Sequence, residues 1–349
     1  MSPLLADIRH RQGRLLGHME ALGFRSRDEA HLSTLTVNIV TSSAIEGDKL
    51  DAQEVRSSLA RKLGMEVGGT TSTSRHVEGV VEMMLNATQK HSEPLTRERL
   101  FAWHAALFPT GYSGMRKIAV GKWRTMDSGP MQVVSGGVGR EKVHFEAPQA
   151  RRLDAEVKAF FQWFNAPPDT DAVVKAALAH FWFVTIHPFE DGNGRIARAI
   201  ADMALARADG TANRFYSMSA QIEAERNTYY QVLESSQKGD LEITRWMTWF
   251  LECLGRALDR SQLMLAGVLQ KARIWEKINT SGVNDRQRLV INRLLDGFQG
   301  NLTSSKYAGL AHCSTDSALR DIQELLERGI LAQNPSRGRS TSYRLIDVA

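Results

Sequence analysis

The sequence predicts a mainly α protein in three parts. These are an N-terminal helical domain (residues 1–90), a helical core with a β-hairpin flap (91–275) and a C-terminal winged helix-turn-helix (281–349). Three observations carry this expectation. Apolar residues recur at helical spacing through most of the chain. The stretch from Gly111 to Ala147 breaks that period and is rich in glycine. After Asn284 the order helix, helix, helix, polar hairpin is that of a winged helix.

The first helix is expected over 4–22, with Leu4, Leu5, Ile8, Leu15, Leu16, Met19 and Leu22 near one face, and Gly23 ends it. Leu32, Leu35, Ile39, Val40 and Ile45 mark a second helix from about Leu32 to Glu46. Asp51 caps a third through Val55, Leu59 and Leu63. Gly68-Gly69-Thr70-Thr71-Ser72-Thr73-Ser74 then reads as a linker. Helices follow at about 75–89 and 96–108. Within the glycine-rich stretch, Met131–Ser135 and Val143–Phe145 read as two short strands joined by 136–142, a hairpin or flap. That tip lacks the Gly-Lys-Ser/Thr ending of a phosphate loop. Helices resume at about 149–164, 171–186, 194–208, 219–236 and 241–275. The last unit reads as helices over 285–297, 303–311 and 314–328, then a hairpin through Ile330, Leu331 and Tyr343–Leu345.

At about 100–200 residues per domain, 349 residues suggest two or three domains. A net charge of +5 permits anionic ligands without arguing for nucleic acid. The two cysteines, Cys253 and Cys313, are far apart, which argues against a disulfide framework and for a reducing cytosol. The N-terminus lacks a basic region followed by an apolar core, so no signal peptide is expected. No run approaches the ~20 apolar residues of a membrane span. The expected location is cytoplasmic.

The densest chemistry lies in His187-Pro188-Phe189-Glu190-Asp191-Gly192-Asn193-Gly194-Arg195-Ile196-Ala197-Arg198. A histidine takes a proton near neutral pH. A carboxylate can hold Mg²⁺, which binds through one or two carboxylates plus substrate phosphates. Glycines let backbone N–H groups close around an anion, and a helix N-terminus adds a favourable field. Pro188 and Gly192 break one helix and a new one begins near Gly194. Arg195 and Arg198, three apart, project from one face of it as a phosphate clamp.

This run resembles the active-site motif of the Fic family, His-x-Phe-x-(Asp/Glu)-Gly-Asn-(Gly/Lys)-Arg-x-x-Arg, at every defined position. The resemblance implies a helical Fic core that transfers a nucleotide monophosphate, usually AMP from ATP, to a hydroxyl of a target protein. By position, His187 would deprotonate that hydroxyl and Asp191 would hold Mg²⁺. Asn193 and the backbone of Gly192, Gly194 and Arg195 would cradle the α- and β-phosphates, and Arg198 would meet the γ-phosphate. The flap would hold the target by strand addition, with Val133, Val134 and Ser135 offering the free edge. Gly121-Lys122-Trp123-Arg124 resembles a family segment read as scaffold. Tyr229 and Tyr230 fall on the helix that flanks the adenine pocket, where they could stack on the base, although such aromatics are more often core.

Ser42-Ser43-Ala44-Ile45-Glu46-Gly47 matches the family's inhibitory pattern, (Ser/Thr)-x-x-x-Glu-(Gly/Asn), with Ser42, Glu46 and Gly47 at its defined positions. Glu46 stands at a helix C-terminus, where the macrodipole disfavours a carboxylate by a few tenths to ~1 kcal/mol. That placement calls for a partner. Pairing with Arg198 would remove the γ-phosphate clamp and restrain transfer. Some family members also use this glutamate in the reverse reaction, removal of AMP. The resemblance covers nearly the whole chain and is strongest over about 37–64 and 101–252. It makes self-modification and a homodimer expectations.

The last unit, 281–349, carries nine Lys/Arg against seven Asp/Glu. Its candidate recognition helix carries Asp316, Asp321, Glu324 and Glu327 against Arg320 and Arg328. DNA-tracking surfaces are basic, so protein docking is favoured over DNA binding. Two alternatives remain: a DNA-binding regulator whose core senses nucleotide, and transfer of a different nucleotide.

Overall fold

The computed structural model describes the chain except residues 21, 23, 66–71, 136–141, 168, 240–241, 280–281, 296–297, 299, 336–340 and 347–349. The chain forms two compact units, Met1–Leu263 and Met264–Ala349. The stretches expected as 1–90 and most of 91–275 thus lie in one unit.

That unit begins with α1 (Ser2–Glu20), α2 (Phe24–Ile45), α3 (Ala52–Lys62), α4 (Arg75–Gln89) and α5 (Arg97–Leu107). Asp51 caps α3 through its carboxylate, which accepts from the N–H of Gln53 and Glu54. Helix α2 starts eight residues earlier than its apolar period suggested, and Glu46 is the first residue past its end. Gly23, the expected stop of the first helix, lies outside the described residues, as does most of the 68–74 linker. Helices α4 and α5 approach so closely at Gly79 that a Cβ there would stand 1.8 Å from the Ala106 carbonyl oxygen. No other residue fits that position.

Two antiparallel hairpins follow. Strands β1 (Tyr112–Ser113) and β2 (Arg116–Lys117) turn through Gly114, at φ +55°. The sequence period gave no sign of this hairpin. Strands β3 (Gln132–Ser135) and β4 (Lys142–Glu146) form the flap, in the register Val133↔Phe145 and Val134↔Val143 with a bulge between Val133 and Val134. The loop between them, 136–141, lies outside the described residues.

The core is built on α6 (Leu153–Asn165), α7 (Ala172–Ile186) and α8 (Asn193–Asp209). Helix α8 is buried on nearly every side, from Arg195 through Ala206. Its alanines at 197, 199, 201, 204 and 206 let neighbouring helices approach. Phe160, Phe164, Phe183 and Phe189 fill the space around it, each contributing about 1.5–3 kcal/mol on burial. The single helix expected over 219–236 is two, α9 (Met218–Ala224) and α10 (Arg226–Gln237). The break falls at Glu225, whose carboxylate takes a bidentate bond from Arg256 at 2.6 Å. No Gly or Pro announces it. Helix α11 runs Thr244–Asn279.

The second unit holds α12 (Asp285–Leu295), α13 (Ser304–Ala311), α14 (Thr315–Glu327) and the hairpin β5 (Leu331–Gln333) with β6 (Tyr343–Leu345). Val290, Ile291, Tyr307, Ile322, Leu325 and Leu331 form its core. Asp321 is buried and held by Arg286, Asn284 and the Tyr307 hydroxyl. It is therefore not part of the acidic face expected for α14. Arg337 and Arg339 of the expected wing lie outside the described residues. Among the described residues, no helix is long and apolar enough to cross a membrane.

Candidate active site

The loop between α7 and α8 positions His187, Glu190 and Asp191, and the first two turns of α8 carry Asn193, Arg195 and Arg198. His187 caps α7 in the left-handed region, φ 50° and ψ 59°. Pro188 contributes to this, because a residue before proline is pushed out of the right-handed helical region. The imidazole Nδ1–H donates to the Val184 carbonyl at 3.1 Å. A carbonyl can only accept, so Nδ1 carries the proton and Nε2 keeps its lone pair. Burial lowers the His187 pKa below the ordinary histidine value, against the Val184 bond, and the Arg124 charge adds to the shift. The ring is neutral at physiological pH and able to accept a proton.

Asn193 turns the loop. Its Oδ1 accepts from the Phe189 N–H at 3.0 Å and its Nδ2 donates to the Phe189 carbonyl at 2.9 Å. The amide is thus engaged inside the loop, where the resemblance placed it against phosphate. Gly192 adopts φ +78°, the conformation that starts α8 there. The first N–H groups of α8 have no intrahelical partners and face the loop. Asp191 is half-buried. Its Oδ1 accepts from the Gly192 N–H and its Oδ2 from the Ser113 hydroxyl. Ser113, on the unexpected β1–β2 hairpin, is a site residue with no sequence signal beyond the glycines around it.

The segment from His104 to Arg124 lies along the loop and holds it residue by residue. Arg124 Nε donates to the His187 carbonyl at 2.8 Å and its N–H to the Pro188 carbonyl at 2.9 Å. The Phe189 ring stacks on His104, centroids 4.2 Å apart and 8° from parallel, and meets Trp123 at 4.8 Å. The Ala119 N–H donates to Glu190 Oε2 at 3.1 Å. His104 Nδ1 accepts from the Gly121 N–H, so its Nε2–H donates to the Asp191 carbonyl at 3.2 Å. Burial pushes the His104 pKa down to about 4, which keeps that arrangement neutral.

Glu46 and Arg198 meet. Arg198 Nη1 lies 2.8 Å from Glu46 Oε1, and the arginine side chain is 1% exposed. Its Nε donates to Ser42 Oγ at 3.0 Å and its Nη2 to the Ser42 carbonyl at 2.8 Å. Nη1 itself has no well-aligned hydrogen bond, so the contact with Glu46 is mainly electrostatic. Burial is the largest influence and opposes the arginine charge, but Glu46 together with Tyr229 and Tyr230 leaves the Arg198 pKa raised. The carboxylate also covers the first turn of α8: a Cβ on Gly194 would stand 2.1 Å from Glu46 Oε1. Glu46 thus occupies the kind of position an anion takes at a helix N-terminus. Gly47, at φ +86°, reverses the chain beneath it. The same reversal brings Asp48 to 3.3 Å from Arg195 Nη1, and Asp48 also binds His76 at 2.7 Å.

The remaining expected residues are spread more widely. Val133, Val134 and Ser135 lie on β3, whose outer edge has no strand partner among the described residues. Val134 and Val143 are exposed. The flap is tied to α10 by His144 Nδ1 and Glu234, 2.6 Å apart. Tyr229 is buried among Trp246, Trp249 and His180, and its hydroxyl lies 3.0 Å from His180 Nε2. Its ring is core and offers no face to a base. Tyr230 is half-buried, with its hydroxyl near the Ile45 carbonyl and the Arg226 guanidinium over its ring. The loop carries two carboxylates, Glu190, which accepts from the Ala119 N–H, and Asp191 at the motif's defined position, and no group of three or more His, Cys, Asp or Glu that could hold a metal occurs among the described residues. One carboxylate beside a helix N-terminus fits Mg²⁺ that arrives with a nucleotide, held mostly by phosphate and water.

Residues 94–205 match the Fic/DOC family. Residues 1–65 match a domain of unknown function, DUF4172. A protein named protein adenylyltransferase Fic from Culex quinquefasciatus is 27% identical over 240 residues, 67% of this chain and 42% of the relative. The chain spans less than half the length of the curated relatives it matches first. Among solved structures, a Fic family protein from Desulfovibrio desulfuricans G20 superimposes with a TM-score of 0.57 at 20% identity, covering 100% of this chain and 98% of that one. A Fic-domain-containing signalling protein from Bacteroides thetaiotaomicron VPI-5482 superimposes with a TM-score of 0.55 at 21% identity, covering 75% and 97%. These likenesses share the helical fold.

Proposed function

From the premise that the chain carries a Fic/DOC domain, we propose that it is a protein adenylyltransferase that moves AMP from ATP to a Ser, Thr or Tyr hydroxyl. The observation that carries this reading is the α7–α8 loop: a neutral histidine with a free Nε2, a carboxylate and a helix N-terminus within six residues. The target hydroxyl gives its proton to His187 Nε2. Its oxygen bonds to the α-phosphorus as the bond from that phosphorus to the α–β bridging oxygen breaks, and pyrophosphate leaves. The N–H groups at the start of α8 face the developing phosphate charge. Asp191 would hold Mg²⁺, which neutralises charge on the phosphates when bound. Ser113, whose hydroxyl donates to Asp191 Oδ2, would share that oxygen with the ion or release it. The β3 edge suits a target segment in extended form.

Transfer is restrained by Glu46. It engages Arg198 and lies over the first turn of α8, so the arginine and the anion position are both taken. A nucleotide whose γ-phosphate is to reach Arg198 must displace the carboxylate.

The test uses wild type, Glu46→Gly and Glu46→Gly/His187→Ala with Mg²⁺ and ATP labelled on the α- or the γ-phosphate. The expected result is α-label on protein, strongest in Glu46→Gly and lost with His187→Ala. γ-Label on protein, or α-label that survives His187→Ala, would overturn the proposal.

A further inference from the structure

Arg124 is 3% exposed, yet every hydrogen bond its guanidinium makes among the described residues ends on a main-chain carbonyl. Nε donates to His187 O at 2.8 Å. Nη2 donates to Pro148 O at 2.5 Å and more weakly to Ile186 O at 3.5 Å. The residue's own N–H donates to Pro188 O at 2.9 Å. A buried cation without a carboxylate is costly, and burial lowers its pKa. Something must make that arrangement worthwhile.

Its partners show what. The last carbonyls of α7 have no intrahelical donors, and the helix end carries a partial negative charge that a cation complements. His187 is one of two non-glycine residues with positive φ among the described residues. Such a conformation persists only where its surroundings over-determine it. Arg124 supplies two of the contacts that do so, one from the side chain and one from the main chain. Its third reach, to Pro148, grips the chain just beyond β4, at the foot of the flap. One side chain therefore joins the residue that takes the proton to the element suited to hold the target.

We propose that Arg124 is the positioning residue of the His187 base, fixing its left-handed backbone and setting its distance from the flap through the Ile186, His187 and Pro148 carbonyls. This rests on the reading that His187 is the base. The side-chain bonds of Arg124 go to main-chain carbonyls and not to the phosphate sites on α8. Its loss misplaces the imidazole and leaves the phosphate sites on α8 intact.

The experiment places Arg124→Lys and Arg124→Met in the 349-residue Glu46→Gly chain. Lysine keeps the charge and one donor direction but cannot span three carbonyls. A misplacement of an ångström can cost on the order of 100-fold in rate. The expected result is kcat lower by ~30- to 100-fold in Arg124→Met and partly recovered in Arg124→Lys, with KM for ATP within ~2-fold in both. Amide exchange in a peptide spanning 183–193 rises, while that of a peptide from α4 does not. A kcat within ~2-fold of the parent, or a loss carried by KM instead, overturns the proposal. If Arg124→Met fails to fold, Arg124→Lys still reads both quantities. If the Glu46→Gly parent transfers no AMP, the functional reading fails by itself, and the exchange contrast continues to decide the clamp: unchanged exchange at 183–193 overturns it.

Discussion

Replacing Glu46 by Gln removes one charge and keeps the side chain's shape. In the structure that charge sits 2.8 Å from an arginine that is 1% exposed. At this separation and an effective dielectric of about 20, the attraction is about 6 kcal/mol before desolvation is counted. The Glu46 side chain is itself 32% exposed, so water screens much of this. Arg198 also keeps its two bonds to Ser42. What remains as coupling to a competing anion is about 1–3 kcal/mol, or roughly 5- to 150-fold in the population of available arginine. AMP incorporation at sub-saturating ATP should rise by a factor in that range. The cost is an arginine left buried without its counter-ion, about 3–5 kcal/mol at most because the bonds to Ser42 remain, or about 2–4 °C of Tm per kcal/mol in a unit of this size. Initial rates of α-label incorporation and thermal melts of wild type, Glu46→Gln and Glu46→Gln/His187→Ala measure both. A melt that falls as expected with a rate within ~2-fold of wild type would refute the claim that this pair restrains transfer.

Gly194→Ala puts a methyl 2.1 Å from Glu46 Oε1, so alone it should destabilise by about 1–3 kcal/mol. In a Glu46→Gly background the same change should be neutral or stabilising by up to ~1 kcal/mol, from helix propensity. Denaturant melts of the four proteins read this reversal, and simple additivity would refute it. Tyr229→Phe removes a buried hydrogen bond to His180. It should cost about 1 kcal/mol in stability and leave KM for ATP unchanged; a large rise in KM would return Tyr229 to the nucleotide site. His104 and His180 are held neutral by burial, at about 4 and about 3. Below the unfolded value near 6.5 the unfolded chain takes up protons that the fold refuses, so stability falls as pH drops from ~6.5 toward 4, by up to ~1.4 kcal/mol per pH unit for each histidine. His104→Gln should flatten that slope in melts between pH 7 and 5, and an unchanged slope would refute the assignment.

Periodicity revealed most of the helices, because a helix that buries one face must repeat its apolar residues at its own pitch. It misplaced the start of α2 and the break between α9 and α10. The first has weak apolar patterning at its N-terminal end, and the second is made at Glu225 by Arg256, a partner 31 residues away. The β1–β2 hairpin escaped because two-residue strands are too short to show alternation. At the site, the twelve-residue motif was legible because its chemistry is local: base, carboxylate, glycine turn and arginines follow one another in a single loop. Glu46 was legible through the inhibitory pattern that Ser42–Gly47 shares with the family, and its place at a helix C-terminus added a smaller physical hint.

The sequence by itself determined the helical class, the order of most helices and the identity of the groups that could do phosphate chemistry. Tertiary structure alone decided which of them face each other. It engaged Asn193 within its own loop, buried Tyr229 in the core, and set Ser113, His104 and Arg124 against a loop more than sixty residues away from each. The reason is physical. A helix period records which face is buried, but the direction in which a buried guanidinium or imidazole points is set by donors and acceptors that only the folded chain brings within 3 Å.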